Sequence, residues 1–462
     1  MSANSTVSSI ALKPAPRQLT SAGAVAQSVG AKGFILFTNA ATGIITARAL
    51  HPTGRGELAA MILWPVFLAS ILTLGIPSAV TFQLRTHPNK RSEIMGAALL
   101  GAVLTSLLAM FVGLPFLRVW MGQYPPRTIF FAQLFLLSTP CTSLLLVGKA
   151  GLESAGNFTL SNKLLTCSPA LTLVSLLTLT ATHFITPFTA AASYVVVGIV
   201  PIIWMSKRLW QEFQPRLAEW KTSFQLLLSY GIRAYGIDLC GTMALYVDQA
   251  LVVRALEPTM MGVYVVALSL SRMLNAFHTS VVMVLFPKAV NQPASTIREL
   301  TSRSMRMSTL LTASAGAVII ALGPQVLSLL YGSAYRGADS VLRILVVEVV
   351  LSGAALVLSQ AFMALGRPGV ITAIQVSGLL VTIPLMLVLI PHFGVAGAGI
   401  ALLISTTLRL ILVIASFPIA LKMPVPAILP KMNDLFYMAR AASRILAHIT
   451  SKELRTPAEM QS

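Results

Sequence analysis

The sequence predicts an all-α polytopic membrane protein, with about 12 transmembrane helices in two parallel-repeat six-helix lobes around a central cavity. Three observations carry that reading. The chain of 462 residues is 56% hydrophobic and only 10% charged, with a mean hydropathy of +0.81; soluble domains carry about 25% charged residues. The apolar residues fall in unbroken blocks such as 61–83 and 395–421, each long enough for the roughly 20 residues that cross a hydrocarbon core about 30 Å thick. Finally, a corner written RALHPT at Arg48–Thr53 returns as RALEPT at Arg254–Thr259, 206 positions on. The alternating segments of about ten residues that mark an outer-membrane barrel do not occur.

In order along the chain, residues 1–20 form a cytoplasmic N-terminal tail. Lys13 and Arg17 precede an apolar stretch that runs on to about residue 47 with no cleavage signature, so it reads as a retained first span. Residues 21–206 carry spans one to six, at about 21–47, 58–83, 93–117, 128–150, 162–183 and 188–206. The polar stretch KRLWQEFQPRLAEWK, 207–221, is an amphipathic cytoplasmic linker between the lobes. Residues 222–422 carry spans seven to twelve, at about 223–253, 260–286, 307–331, 340–364, 369–391 and 395–421. Residues 423–462 form a basic amphipathic tail. There Arg440, Arg444, His448 and Lys452 recur every four residues and make one basic stripe, suited to an anionic cytoplasmic leaflet.

Charge placement sets the orientation. Even-numbered connections and the two termini hold 22 of the 33 Lys and Arg residues; odd-numbered connections hold seven. Cytoplasmic loops collect Lys and Arg, so both termini are expected in the cytoplasm. The same asymmetry accounts for the net charge of +19 without nucleic acid as a partner. Cys141, Cys167 and Cys240 sit in apolar blocks with no CxxC or metal-ligand spacing, so they read as small buried residues. No metal or cofactor is called for. VGKAG at 147–151 is not a P-loop, because Ala150 stands where Ser or Thr would hold magnesium. The energy for transport must then come from an ion gradient, the membrane potential or substrate consumption.

Two further echoes support duplication. PSAV at 77–80 pairs with PKAV at 287–290, and Gly156 pairs with Gly366, both 210 positions apart. Six spans per half give both halves one orientation, hence a parallel repeat about an axis along the membrane normal.

The stretches ITARALHPTGRGELA (45–59), LGIPSAVTF (74–82), YVDQALVVRALEPTMMGVYVVA (246–267), LFPKAV (285–290), LSLLYGSAY (327–335) and PHFGVAGAGIALLIS (391–405), in this order and spacing, resemble the multidrug/oligosaccharidyl-lipid/polysaccharide exporter superfamily. Within it they are most similar to bacterial O-antigen and polysaccharide flippases. The resemblance covers about residues 20–422. It implies a two-lobed bundle in the bacterial inner membrane that moves a polyprenyl-diphosphate-linked oligosaccharide to the outer leaflet for surface polysaccharide export. The lipid bilayer, polysaccharide polymerase and chain-length proteins are the partners that role brings. Lipid II flippases in the superfamily usually have two more spans than the twelve counted here.

Ionisable residues at mid-membrane cost roughly 2.5–3.5 kcal/mol each on insertion scales, so each is a functional candidate. Arg272 in span eight, with Asn275 on the same face, suits diphosphate and sugar hydroxyls, because a guanidinium fork matches phosphate oxygens. Arg409 in span twelve is a second cavity cation. Either arginine could instead form an interhelical ion pair with Glu348 of span ten. Lys32 in span one and Asp238 in span seven lie 206 positions apart and face the cavity if the repeat holds; the plainer alternative is local pairing. Arg233 is a phosphate contact or a snorkelling residue. Asp248 reads first as a helix-end carboxylate near Arg254 and second as a cation ligand. Asp238, Asp248 and Glu348 are thus the coupling or gating candidates, and no residue is assigned a catalytic role. His183 and His278 read as structural.

Two rivals stand beside the flippase. A cation-coupled multidrug exporter of the same architecture would favour carboxylates and aromatics in its cavity. A membrane glycan polymerase or ligase would need a sizeable outer loop, and no outer connection here exceeds roughly a dozen residues. The chain is therefore expected not to be an enzyme.

Overall fold

Proline and glycine punctuate an otherwise apolar chain, and they set the element ends. In a computed structural model that describes residues 21–427, the tail 1–20 and the stripe Arg440–Lys452 lie outside the described residues. Fifteen α-helices follow one another and no strand occurs among the described residues: α1 (Ser21–Ile71), α2 (Ile76–Thr86), α3 (Arg91–Trp120), α4 (Pro126–Phe135), α5 (Thr139–Ser154), α6 (Phe158–Ala181), α7 (Pro187–Val197), α8 (Ile199–Phe213), α9 (Trp220–Ala255), α10 (Pro258–Arg272), α11 (Asn275–Ala289), α12 (Ala294–Ala321), α13 (Gly323–Leu330), α14 (Asp339–Ala364) and α15 (Pro368–Ala420). Helices α4, α7, α10 and α15 each begin on a proline, where the missing N–H costs nothing and the fixed φ already suits a helix. Thr186 and Thr189 add a reciprocal capping box at the start of α7.

Two of these helices are too long for one crossing. The 53 residues of α15 would extend about 80 Å as a straight helix, well over twice the hydrocarbon thickness. Gly394 breaks it, with φ +56° and ψ −136°, a conformation that only glycine adopts without strain. The chain then folds back on itself. Thr382 Oγ1 donates to Ser405 Oγ at 2.7 Å, and Ser405 Oγ donates to the Gly378 carbonyl at 2.8 Å. Helix α1 breaks in the same manner at His51, φ 57° and ψ 176°, directly before Pro52. Among the described residues, nine helical stretches are long and apolar enough to cross a membrane. Helix α9, bent by 51° between Gly236 and Asp238, makes a tenth.

Packing distinguishes the two ends of the bundle. One apolar core joins residues of both sequence halves, among them Trp64, Met121, Tyr264, Tyr335 and Ala398; these lie toward the odd-numbered connections. At the opposite end two separate cores form. One gathers residues of 76–227, including Met95 and Leu209. The other gathers residues of 285–417, including Phe362 and Phe417. The halves are therefore closed on each other at the Lys/Arg-poor end. The joined end is tied by cross-half hydrogen bonds: Trp120 Nε1 to the Ala250 carbonyl at 2.8 Å, Tyr335 Oη to the Ala47 carbonyl at 3.1 Å, and Arg48 Nε to the Leu330 carbonyl at 2.8 Å. Outward-facing Phe111, Ile203, Leu380 and Ile419 stay exposed, as expected for helices whose solvent is lipid.

The duplicated corners meet at the joined end. Thr53 Oγ1 and Thr259 Oγ1 lie 2.8 Å apart. The contact is reciprocal: a Cβ on Gly56 would stand 1.7 Å from the Pro258 carbonyl oxygen, and one on Gly262 would stand 2.0 Å from the Pro52 carbonyl oxygen. Pro52 and Pro258, and Gly56 and Gly262, share the 206-residue offset, so this contact reads the same from either half. The other echo is a repeated helix end. Gly156 (φ +81°) and Gly366 (φ +70°) each close a helix, through Asn157 N to Leu152 O and Arg367 N to Phe362 O, both 2.9 Å. These bonds also stand 210 positions apart.

Helix edges differ from the hydropathy reading in two instructive places. The span expected at 307–331 is a helix from Ala294 to Ala321, followed by the separate α13. Hydropathy sees where lipid begins, but a helix propagates past the interface into its amphipathic turns. The segment 207–213, expected in the linker, likewise continues α8.

Candidate functional site

Span eight is written as two helices. Between α10 and α11 the chain tightens into i→i−3 bonds, with Leu274 N to Ser271 O at 3.1 Å, Ala276 N to Met273 O at 3.2 Å and Phe277 N to Leu274 O at 3.2 Å. Such a local 3₁₀ stretch shifts the helix phase, and it falls between Arg272 and Asn275. Both side chains line one pocket of about 350 Å³, walled on the other side by the first span through Lys32, Ile35, Leu36 and Asn39. A second pocket of about 290 Å³ shares Asn275 and Thr279 with the first and is lined also by Ser352, Gln375 and Arg409. Lys32, Arg272, Asn275 and Arg409 thus border two adjoining cavities. Among the described residues, no carboxylate lines either one.

The carboxylates stand behind the arginines. Asp248, 1% exposed, accepts from Arg272 Nη2 at 3.1 Å and from Tyr264 Oη at 2.8 Å. Arg272 also donates to the Leu245 carbonyl at 3.4 Å, and a third of its side chain remains exposed. Asp248 is therefore the buried anchor of Arg272, not a helix-end partner of Arg254. Arg409 is held through a relay: its Nη2 donates to Thr406 Oγ1 at 2.6 Å, Thr406 donates to Glu348 Oε1 at 2.6 Å, and Arg409 Nη1 donates to Gln375 Oε1 at 3.0 Å. Its direct distance to Glu348 is 3.9 Å. Glycine makes the room: a Cβ on Gly378 would stand 2.4 Å from Arg409 Cδ, and one on Gly353 would stand 1.9 Å from His278 Nε2. His278 is fully buried, with Nδ1 2.8 Å from Ser308 Oγ.

The remaining sequence candidates fall elsewhere. Asp238 accepts from Ser78 Oγ at 2.7 Å and does not line the pocket that holds Lys32. Lys32 is exposed there, with Nζ 3.0 Å from the sulfur of Met283. Arg233 is exposed and outside both cavities. Sequence reasoning passed over Asn39, Thr279 and Gln375. Their signal was present, since an amide inside an apolar helix carries the same burial cost in milder form, but polar uncharged residues are frequent enough along these spans to hide it.

Chemically, fixed guanidinium and ammonium groups beside amide and hydroxyl donors can hold an anion and adjacent hydroxyls. A paired, anchored arginine presents its remaining donors at a set place instead of sweeping the cavity.

A helical bundle with this closed end and this cationic interior has the fold of membrane transporters and flippases. The chain superposes on a solved structure of "Lipid II flippase MurJ, inward closed conformation" with a TM-score of 0.74, covering 93% of each chain at 14% identity. An inward-facing multidrug resistance MATE family transporter of the MOP superfamily gives a TM-score of 0.66 at 16% identity, covering 82% of this chain and 92% of that one. Residues 45–340 match the family described as "Polysaccharide biosynthesis protein", and the chain belongs to that family. A curated relative, the "Probable low-salt glycan biosynthesis flippase Agl15" of Haloferax volcanii, is 25% identical over 191 residues. The match spans 40% of each of the two chains.

Proposed function

We propose that this protein flips a polyprenyl-diphosphate-linked oligosaccharide from the cytoplasmic to the outer leaflet of the inner membrane, by alternating access, for surface polysaccharide export. The observation that carries the reading is the polarity of the paired cavities: three cations and no carboxylate. A cation-exporting cavity needs carboxylates facing the drug; here they sit behind the arginines and hold them. Family membership and the flippase fold support the same reading.

The proposed architecture is twelve crossings. The nine long stretches supply eleven when α1 and α15 each count as two, and the bent α9 supplies the last. Six crossings on either side of the connection between α8 and α9 make the two lobes, and the Thr53–Thr259 contact marks their axis. The Lys/Arg-rich end faces the cytoplasm, with both termini. There the cores are separate, so the substrate enters from the cytoplasm. Arg272 and Arg409 hold the diphosphate, Lys32 adds charge, and Asn275 contacts the first sugar. Arg233 guides the headgroup from the interface. Asp248 and Glu348 are switch elements, since each competes with the diphosphate for its arginine; Asp238 acts at the bend of α9. A role beside a polysaccharide polymerase and chain-length proteins follows from this position in export.

The experiment is analysis of lipid-linked glycans in cells without the gene. Cytoplasmic accumulation of the undecaprenyl-linked oligosaccharide, with surface glycan lost and restored by the wild-type gene, is the expected result. Unchanged glycans with new sensitivity to cationic drugs would move the assignment to the multidrug exporter.

A further inference from the structure

Among the described residues, the strongest unexplained group is Arg55. The sequence places it in an outer corner, where an arginine ordinarily reaches water. Instead it is 8% exposed. Its Nε and Nη1 have no hydrogen-bond partner, and no carboxylate lies within ion-pair distance among the described residues. Glu57, two positions on, sits on a different face of the helix, beside Arg127 and Thr128. A buried, unpaired guanidinium is costly.

Arg55 borders a cavity of about 470 Å³ that is separate from the two already described, and its size is in the range of small-molecule sites, about 300–1,000 Å³. The walls come from the second, fourth, fifth, sixth, seventh and eighth spans. They are mainly apolar, with Ile62, Val66, Leu145 and Ile202 among them, and no carboxylate is present. Beside Arg55 the polar groups include Gln249 and Tyr246. A single cation bordering a mainly apolar chamber matches a molecule with one anionic end and an apolar body.

We propose that this cavity binds a phosphate-headed amphiphile, with the Arg55 guanidinium on the phosphate and the apolar walls on the hydrocarbon. The site is distinct from the Arg272–Arg409 cavities and stands whether or not the chain flips a glycan. Two sources share this chemistry: an anionic phospholipid and an isoprenoid phosphate.

Cys141 lines the same cavity and is a free thiol, so it reports occupancy; Cys167 and Cys240 do not line it. The test uses purified full-length protein, without glycan, incubated with farnesyl phosphate, phosphatidate or neutral farnesol. Binding is read by native mass spectrometry and located by N-ethylmaleimide alkylation of each cysteine. Farnesyl phosphate, phosphatidate or both bind and slow alkylation of Cys141 relative to Cys167 and Cys240, while farnesol does not. R55M weakens binding at least tenfold and R55K retains part of it; R55Q, which removes the charge but keeps hydrogen bonding, replaces R55M if that variant does not fold. Protection by phosphatidate identifies a phospholipid headgroup site, and protection by farnesyl phosphate alone identifies an isoprenoid carrier. Equal binding of farnesol, unaltered binding in the charge-removing variants, or no binding of either phosphate overturns the proposal. Because no transport is measured, failure of the flippase reading leaves this outcome untouched.

Discussion

Arg272 and Asp248 show how a buried charge pair divides its duties. Asp248 is closed off from the cavity and its second oxygen, Oδ1, has no partner, so removal of Arg272 strands a carboxylate in the bundle. Arg272→Ala is expected to destabilise the protein by about 3 kcal/mol, the low end for a broken buried pair, because a third of the arginine is already exposed. Thermal unfolding in detergent measures this. The double variant Arg272→Met with Asp248→Leu is expected to recover most of the stability but no transport. Recovery of transport as well would show that Arg272 serves the fold alone. The deep charges were visible in the sequence because charge is rare inside apolar blocks. Their pairing was not: Asp248 lies six residues from Arg254 and twenty-four from Arg272, and sequence proximity favoured the wrong partner.

The element scale is governed by glycine. Gly56 and Gly262 let the two corners touch through their backbones, and Gly353 and Gly378 clear space for His278 and Arg409. Thr53→Cys with Thr259→Cys is expected to crosslink on oxidation, since the hydroxyls they replace are 2.8 Å apart. The crosslink should arrest transport and reduction should restore it. Full transport by the oxidised protein would show that this end never opens. Gly353→Ala is expected to cost about 1–3 kcal/mol through overpacking against the His278 ring, and Gly353→Ala with His278→Ala should cost less than the two changes summed. Additive losses in thermal unfolding would mean the ring and the glycine do not share one space. The repeated corner was legible in the sequence. That its two copies would touch each other was not legible, because a repeat states that two pieces are alike and is silent on their separation.

At the scale of the molecule, the asymmetry of the cores predicts the accessible end. Cysteines placed at Asn157 and Gln214 are expected to react with an impermeant thiol reagent only when the cytoplasmic face is exposed, and cysteines at Gly122 and Phe184 from the outer face of intact cells. The reverse pattern would invert the topology proposed from Lys and Arg placement.

The sequence by itself determined that the chain is helical and membrane-embedded, that the corner RALHPT returns as RALEPT, and which residues carry charge inside apolar helices. Those properties are local: hydropathy, proline, glycine and charge act over a turn or a span. Only the tertiary structure decided which charges face a cavity and which stand behind them. It also moved Arg55 from an expected surface position into a buried chamber, and showed one core joining both halves at one end and two separate cores at the other. Such facts depend on helix rotation and tilt, and these are fixed by contacts between residues hundreds of positions apart.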